Sequence, residues 1–356
     1  MTAYSHVVVV GDTLVDEYVE VRARRHNAQE DEYVPVVSRG LKTTLPGGAS
    51  AVAHLLGRWG VPTRLVTRTG PADHSWVYRD VDVLAAVDQQ YWCPIKTRYV
   101  SRDGRLRFRV DHENVEPFAG SYRCALTHGV AAARDTAERL LKIALTKVNG
   151  PCRPLLVVSD YAKGFMDYET WGCALREAAA EYDLLVDPPA DPGQWRLYQC
   201  GAKVLKINRQ QALEVMGKAR AGKYPAKTLL SSEPVARLVA NDIWYDTAAG
   251  LEEMGLRPKW LWVTLGCSGS TFGRLESDGP RLHYHYPVEP AFTTGAGDVA
   301  MAAFAAHAFV QGIEFDADVS DAVAAATYAA REACHHKPTG RGGLSSPVKL
   351  PDEVRA

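Results

Sequence analysis

A mainly parallel β-sheet covered by helices on both faces is the fold class this sequence predicts, on three observations. Short apolar runs, among them HVVVVGD at 6–12, RPLLVVSD at 153–160 and DLLVD at 183–187, carry almost no polar interruption, as strands buried on both faces require. Helical patterns separate these runs along the chain. The runs end in Asp, Asn or Gly, which stop a strand and begin a turn.

The elements follow in order. The first run opens the chain, and residues 6–16 are expected in the main sheet. GASAVAHLLGRWG (48–60) is a small-residue helix, and TRLVTRTG (63–70) is the next strand. After a less regular stretch come the strand at 153–160, a helix near 168–182 and the strand at 183–187. AKVLKIN (202–208) precedes a helix near 209–217; a helix near 242–255 precedes WLWVTLG (260–266), and two helices flank residues 297–334. Two stretches, 17–48 and 94–113, alternate polar and apolar residues instead. Period two with a polar face predicts a small β-layer standing off the main sheet, a lid over about 17–45 and 94–113. The tail after Pro338, with Gly and Ser in TGRGGLSSP, is expected to be irregular. No repeat or linker divides the 356 residues, so one domain is expected.

Charged residues make up 23% and apolar residues 46%, the balance of an ordinary globular protein. A formal net charge of −1 without a basic run speaks against nucleic acid as a partner. Seven cysteines, odd in number and without a CxxC pair, do not form a disulfide framework. Neither a signal peptide nor a membrane-length apolar run is visible, so a cytoplasmic protein is expected. The histidines of CHH (334–336) and at 283 and 285 have no second cluster at zinc-like spacing, and no metal site is assigned to them.

The chemistry concentrates where parallel strands end, which is where open α/β sheets bind ligands. Those ends carry Asp12 and Asp16, then Asp160 and Lys163 in SDYAKG, Asp187 in VDPP, Asn208 in KIN, and Thr264, Gly266 and Gly269 in TLGCSG. The stretch FTTGAGDVA (292–300) places two glycines and an aspartate where a turn enters an Ala-rich helix. One reading makes Asp298 a helix cap. The other makes the helix start an anion site with a carboxylate beside it that accepts a proton from a hydroxyl. Carboxylates for sugar hydroxyls, a lysine for phosphate and glycine-rich turns for a polyphosphate point together to phosphoryl transfer.

GDTLVDEY, LPGGASAVA, KTRYVSRDGRLRFRVD, SDYAKG, VDPP, KIN and TTGAGD occur in the order found in the ribokinase (PfkB) family of carbohydrate kinases, which the chain resembles over residues 6 to 345. Within it, SDYAKG and KTRYVSR resemble the heptose 7-phosphate kinase branch; the adenylyltransferase domain that often follows there is not expected in these 356 residues. The resemblance implies a ribokinase-like α/β/α sandwich with a β-lid, ATP and Mg²⁺ as cofactors, and a sugar or sugar phosphate as substrate. It implies Asp298 as general base, with the amides of Gly295, Ala296 and Gly297 stabilising the transferring phosphoryl group. Asp12, Asp16, Gly47, Gly48 and Asp160 fall to the sugar, with Arg109 and Lys163 near its phosphate or the triphosphate. Asn208, Thr264, Gly266 and Gly269 fall to ATP. Three positions depart from the family: Ala51 replaces a sugar-contacting asparagine, Gln211 replaces the acid of an NxxE motif, and Phe292 replaces an acidic or polar residue. The competing readings are a non-catalytic relative that keeps the fold and binds a sugar nucleotide or a protein, and a kinase for a different small-molecule acceptor. A homodimer formed through the lid is also expected, because exposed strands add to a partner's sheet.

Overall fold

The computed structural model describes residues 4–21, 23–27, 32–36, 42–70, 81–101, 106–118, 129–146, 152–217, 233–276, 279–284 and 295–335. The chain begins with β1 (Tyr4–Gly11), β2 (Thr13–Val21), β3 (Ala23–Asn27), β4 (Glu32–Val36), β5 (Lys42–Gly48) and α1 (Ala49–Arg58). Then come β6 (Thr63–Thr69), β7 (Asp82–Val87), β8 (Ile95–Ser101), β9 (Leu106–His112) and α2 (Gly129–Ala144). The central part holds β10 (Arg153–Ser159), α3 (Tyr168–Glu181), β11 (Asp183–Asp187), β12 (Val204–Asn208) and α4 (Arg209–Met216). Last are α5 (Glu233–Glu253), β13 (Trp260–Thr264), β14 (Gly269–Arg274), β15 (Arg281–Tyr284), α6 (Ala296–Gln311) and α7 (Ser320–His335).

Nine strands form the main sheet in the order β15-β14-β13-β12-β11-β10-β1-β6-β7, antiparallel only where β14 meets β13 and β15. Alternate residues of each apolar run go to opposite faces. Val8, Val10, Leu156, Val158, Leu184 and Val186 join the core under α2, α3, α4 and α5. Val7, Val9, Leu155, Val157 and Leu185 join the core under α1, α6 and α7. The unbroken apolar runs are thus the direct consequence of burial on both faces. Helix α6 is itself buried all round from Asp298 to Ala306, which explains its alanines.

A second sheet, β5-β2-β8-β9, stands off the first and is the small β-layer expected from the polar alternation; β3 and β4 pair as a separate hairpin. One boundary differs from expectation. Residues 6–16 do not form one strand, because the chain leaves the main sheet at Asp12 and residues 13–16 belong to the second sheet. Gly11 marks the exit: a Cβ there would lie 1.9 Å from the Ser159 carbonyl oxygen, so only glycine brings the chain this close to β10. The sequence reading also passed over β7, α2, β14 and β15, and α5 begins nine residues before the expected 242. Phe292 and the tail after Pro338 lie outside the described residues.

Candidate active site

The carboxyl ends of β10, β11 and β12 bring Tyr161, Asp187 and Lys206 to the start of α6. Asp298 lies in the first turn of that helix and is 4% exposed. The helix enters from Gly295 in the left-handed conformation (φ 80°), and among the described residues no side chain caps it. Asp298 therefore does not act as a cap. Its Oδ1 accepts a hydrogen bond from the Tyr161 hydroxyl at 2.7 Å. Burial pushes the Asp298 carboxyl up to about 7, opposed by that hydrogen bond and by Lys206, and reinforced by the charges of Asp16 and Asp187. A Cβ on Gly297 would meet nothing closer than Lys206 Nζ at 3.5 Å, so the protein's own packing does not require glycine there.

Lys206 and Asp187 come from neighbouring strands, β12 and β11, and pair at 2.5 Å. Asn208, two residues after Lys206, is the register partner of Thr264, so these two expected nucleotide contacts sit side by side. Gly266 (φ 64°) has no heavy atom within 4 Å of an added Cβ, and Gly269 (φ 97°) begins β14. Asn208 also caps α4 by accepting from the Gln211 amide at 3.0 Å. Gln211 Nε2 donates to the carbonyls of Pro188 (2.8 Å) and Pro189 (3.1 Å). A glutamate could not donate there unless protonated, so the amide has its own structural reason.

The second sheet supplies the other wall. Asp16 accepts from Arg98 at 2.6 Å, and a Cβ on Gly47 would come within 3.0 Å of its Oδ2. Lys96, two residues before Arg98 and so on the same face, sits 4.8 Å above the Tyr161 ring. Burial lowers the Lys96 ammonium, with Asp16 and Asp298 opposing, and Lys163 and Arg98 adding to the shift. Lys163 Nζ pairs with Glu113 at 2.5 Å, and Arg109, opposite Arg98 in register but 49% exposed in its side chain, pairs with Asp111 at 2.8 Å. Gly48 has a backbone role: its φ is 63°, and a Cβ would lie 2.4 Å from the Asp12 carbonyl oxygen.

Asp12 and Asp160 correct the expectation that they face the sugar. Asp12 is 1% exposed, and its carboxylate accepts from the backbone amides of Tyr161 (3.0 Å), Lys163 (3.0 Å) and Phe165 (3.2 Å). Asp160 accepts from the Ala162 amide (2.7 Å) and the Tyr198 hydroxyl (2.5 Å). Burial and the neighbouring Asp12 charge raise the Asp160 carboxyl well above its ordinary value. Together the two acids build the loop after β10, including Ala162 at φ 53°. That loop presents Tyr161 and Lys163.

Sequence reasoning gave no role to Tyr161, Lys96, Arg98 or Lys206, although all four stand in the quoted motifs. Strand-end position pointed to Lys206, and period two from Asp16 across the paired strands pointed to Lys96 and Arg98. Nothing local pointed to Tyr161.

This arrangement defines a ribokinase-like fold, and comparison with solved structures agrees. The phosphofructokinase-2 of Escherichia coli in complex with substrates and products matches with a TM-score of 0.65 at 14% identity, over 98% of each chain. The Arabidopsis thaliana ribokinase complexed with ribose and ATP matches at 0.57 and 18% identity, over 99% of this chain and 97% of that one. No family model matches the sequence. Among curated proteins the chain is similar to the bifunctional protein HldE of Azorhizobium caulinodans, 27% identical over 336 residues, which is 91% of this chain and 61% of that protein. HldE of a Marinomonas species is 26% identical over 87% of this chain and 58% of its own length. The chain thus spans about three fifths of the length of these relatives. The resemblance carried by the motifs is borne out by these similarities. Among the described residues no helix is long and apolar enough to cross a membrane, and no three acidic, His or Cys side chains cluster as a metal site.

Proposed function

We propose that this protein is an ATP-dependent kinase of a sugar or sugar phosphate, with the heptose 7-phosphate class as the first candidate acceptor. The observation that carries this reading is the buried Asp298 carboxyl, titrating near 7 beside an uncapped helix start. A group poised there accepts a proton from an acceptor hydroxyl, while the amides of Gly295, Ala296 and Gly297 and the helix dipole receive the developing phosphoryl charge. Lys206, next to Gly297, adds a cation at the same place. Asp16 and Gly47 form the sugar-facing wall, and Lys96, Arg98 and Lys163 give it the cationic character that an acceptor carrying its own phosphate needs. Asn208, Thr264, Gly266 and Gly269 take the nucleotide. Asp187 is the carboxylate on hand for a magnesium ion, and a single carboxylate with phosphates and water suffices for that ion. Bound magnesium supplies charge neutralisation across the phosphates.

Closure of the second sheet as a lid excludes water from the transfer. Its edge strand β9 exposes Leu106 and Val110, which supports pairing of two copies through this sheet. Sedimentation at micromolar concentration checks that state, and a monomer there removes it. The function is tested by following ATP consumption and product formation over a panel of free and phosphorylated sugars, with Asp298→Asn as control. Transfer to at least one acceptor that the control loses is the expected result. Calorimetry with magnesium–ATP that shows no heat and no thermal shift favours the non-catalytic reading.

A further inference from the structure

We propose that Tyr161 is a positioning residue for Asp298, holding the carboxyl in one orientation and favouring its proton-accepting form. This inference rests on the function proposed above.

The geometry is one-sided. Among the described residues the hydrogen bond to Asp298 comes from Tyr161, on Oδ1, which leaves Oδ2 for the acceptor hydroxyl. Tyr161 and Asp298 belong to separate elements, the loop after β10 and the start of α6. Neither element alone fixes the angle between them. The tyrosine is held rigidly instead: its amide is bound by Asp12, Ala162 after it takes a left-handed conformation, and its ring lies under Lys96. Burial, with the charge of Asp298, keeps the phenol protonated, so it serves as donor and not as acceptor. A donor to a carboxylate favours the charged form. The other charged groups around the carboxyl are Asp16 from β2 and Asp187 from β11, which oppose ionisation, and Lys206 from β12, which favours it. Lys96 from β8 also feels the Asp298 charge. Tyr161 is the member of this set in direct contact, and among the described residues its hydroxyl bonds Asp298.

Tyr161→Phe keeps the ring and removes the donor. The first readout needs no substrate: the ¹³C carboxyl resonance of Asp298, identified by its absence in Asp298→Asn, is titrated in both proteins. The expected shift is to higher pH by about one unit, the worth of one hydrogen bond to a charged group. Incorporating 3-fluorotyrosine at 161, a stronger donor, is expected to move it the other way. The second readout is turnover. At neutral pH kcat falls ~10-fold while the KM values for ATP and acceptor hold, and the loss shrinks as pH rises and the base form returns. A carboxyl titration that moves in neither variant overturns the proposal, as does a Tyr161→Phe kcat equal to that of the unaltered protein. If the unaltered protein phosphorylates no acceptor, the proposed function fails, while the carboxyl titration still decides the role of Tyr161.

Discussion

Replacing Asp298 by Asn separates the cost of the site from its use. The carboxyl is carried from an ordinary 3.8 to about 7 by burial. Each pKa unit corresponds to about 1.4 kcal/mol, so keeping Asp298 ionised costs the folded protein on the order of 4 kcal/mol. A carboxyl whose folded value is raised binds its proton more tightly folded than unfolded. Stability is therefore highest below the unfolded value and is lost as pH rises from about 4 through 7. Asparagine keeps the shape and can still accept from Tyr161, but never ionises. The expected outcome is a variant more stable than the unaltered protein at pH 8 by several degrees in melting temperature, with the gap closing toward pH 4. In the same variant, phosphoryl transfer falls ~10²–10⁴-fold, the share of a general base. Thermal melts at half-unit pH steps, paired with acceptor phosphorylation at matched temperature, measure both. A stability difference that is flat with pH, or a variant with full turnover, refutes the reasoning.

Three further outcomes follow from the geometry. Gly297→Ala places its methyl 3.5 Å from Lys206 Nζ, an ordinary contact, and gains helix propensity of about 0.5–1 kcal/mol. Melting temperature should hold or rise while turnover drops at least ~10-fold, because the methyl occupies the phosphate's approach; retained turnover would show the turn is not used. Gln211→Glu sets a carboxylate against the Pro188 and Pro189 carbonyls and should cost ~1–3 kcal/mol at pH 8 in denaturant titrations, less at pH 5 where protonation restores a donor. Arg98→Gln strands the buried Asp16 and should raise the acceptor KM well before it affects the KM for ATP; equal effects on both would place Arg98 outside the acceptor wall.

Much of this site was legible because parallel sheets put their ligand chemistry at strand ends. That rule drew attention to Asp187, Asn208 and Thr264, the turn entering an Ala-rich helix drew attention to Asp298, and the alternation of 94–113 located the second sheet. It misjudged Asp12 and Asp160, because a strand-end carboxylate can serve a ligand or its neighbour's amides equally well in sequence. Only the close approach of β1 and β10 shows that the amides of 161, 163 and 165 reach Asp12 first. Arg109 was named and Arg98 was not, although both alternate correctly; β8 lies inside the second sheet beside β2 while β9 lies at its edge, and that order decides which arginine is covered. Strands β14 and β15 escaped notice because GSTFGR and RLHY carry no apolar run, although β14 lies between β13 and β15 and is buried over its first five residues.

Helix α6 is enclosed by α1, α7 and the sheet, whereas β2 is buried over its first four residues and only partly covered toward its end, and β8 alternates buried and partly covered residues. The two halves of the site therefore differ in how readily their backbones open to solvent. Amides of Val299 to Ala306 should exchange with deuterium only through global unfolding, with or without ligand. Those of Glu17 to Val21 and of Tyr99 to Ser101 should exchange through local openings and slow when an acceptor is held against Asp16. Ligand occupancy would then be recorded as a protection pattern confined to one sheet, readable peptide by peptide without any assay of turnover.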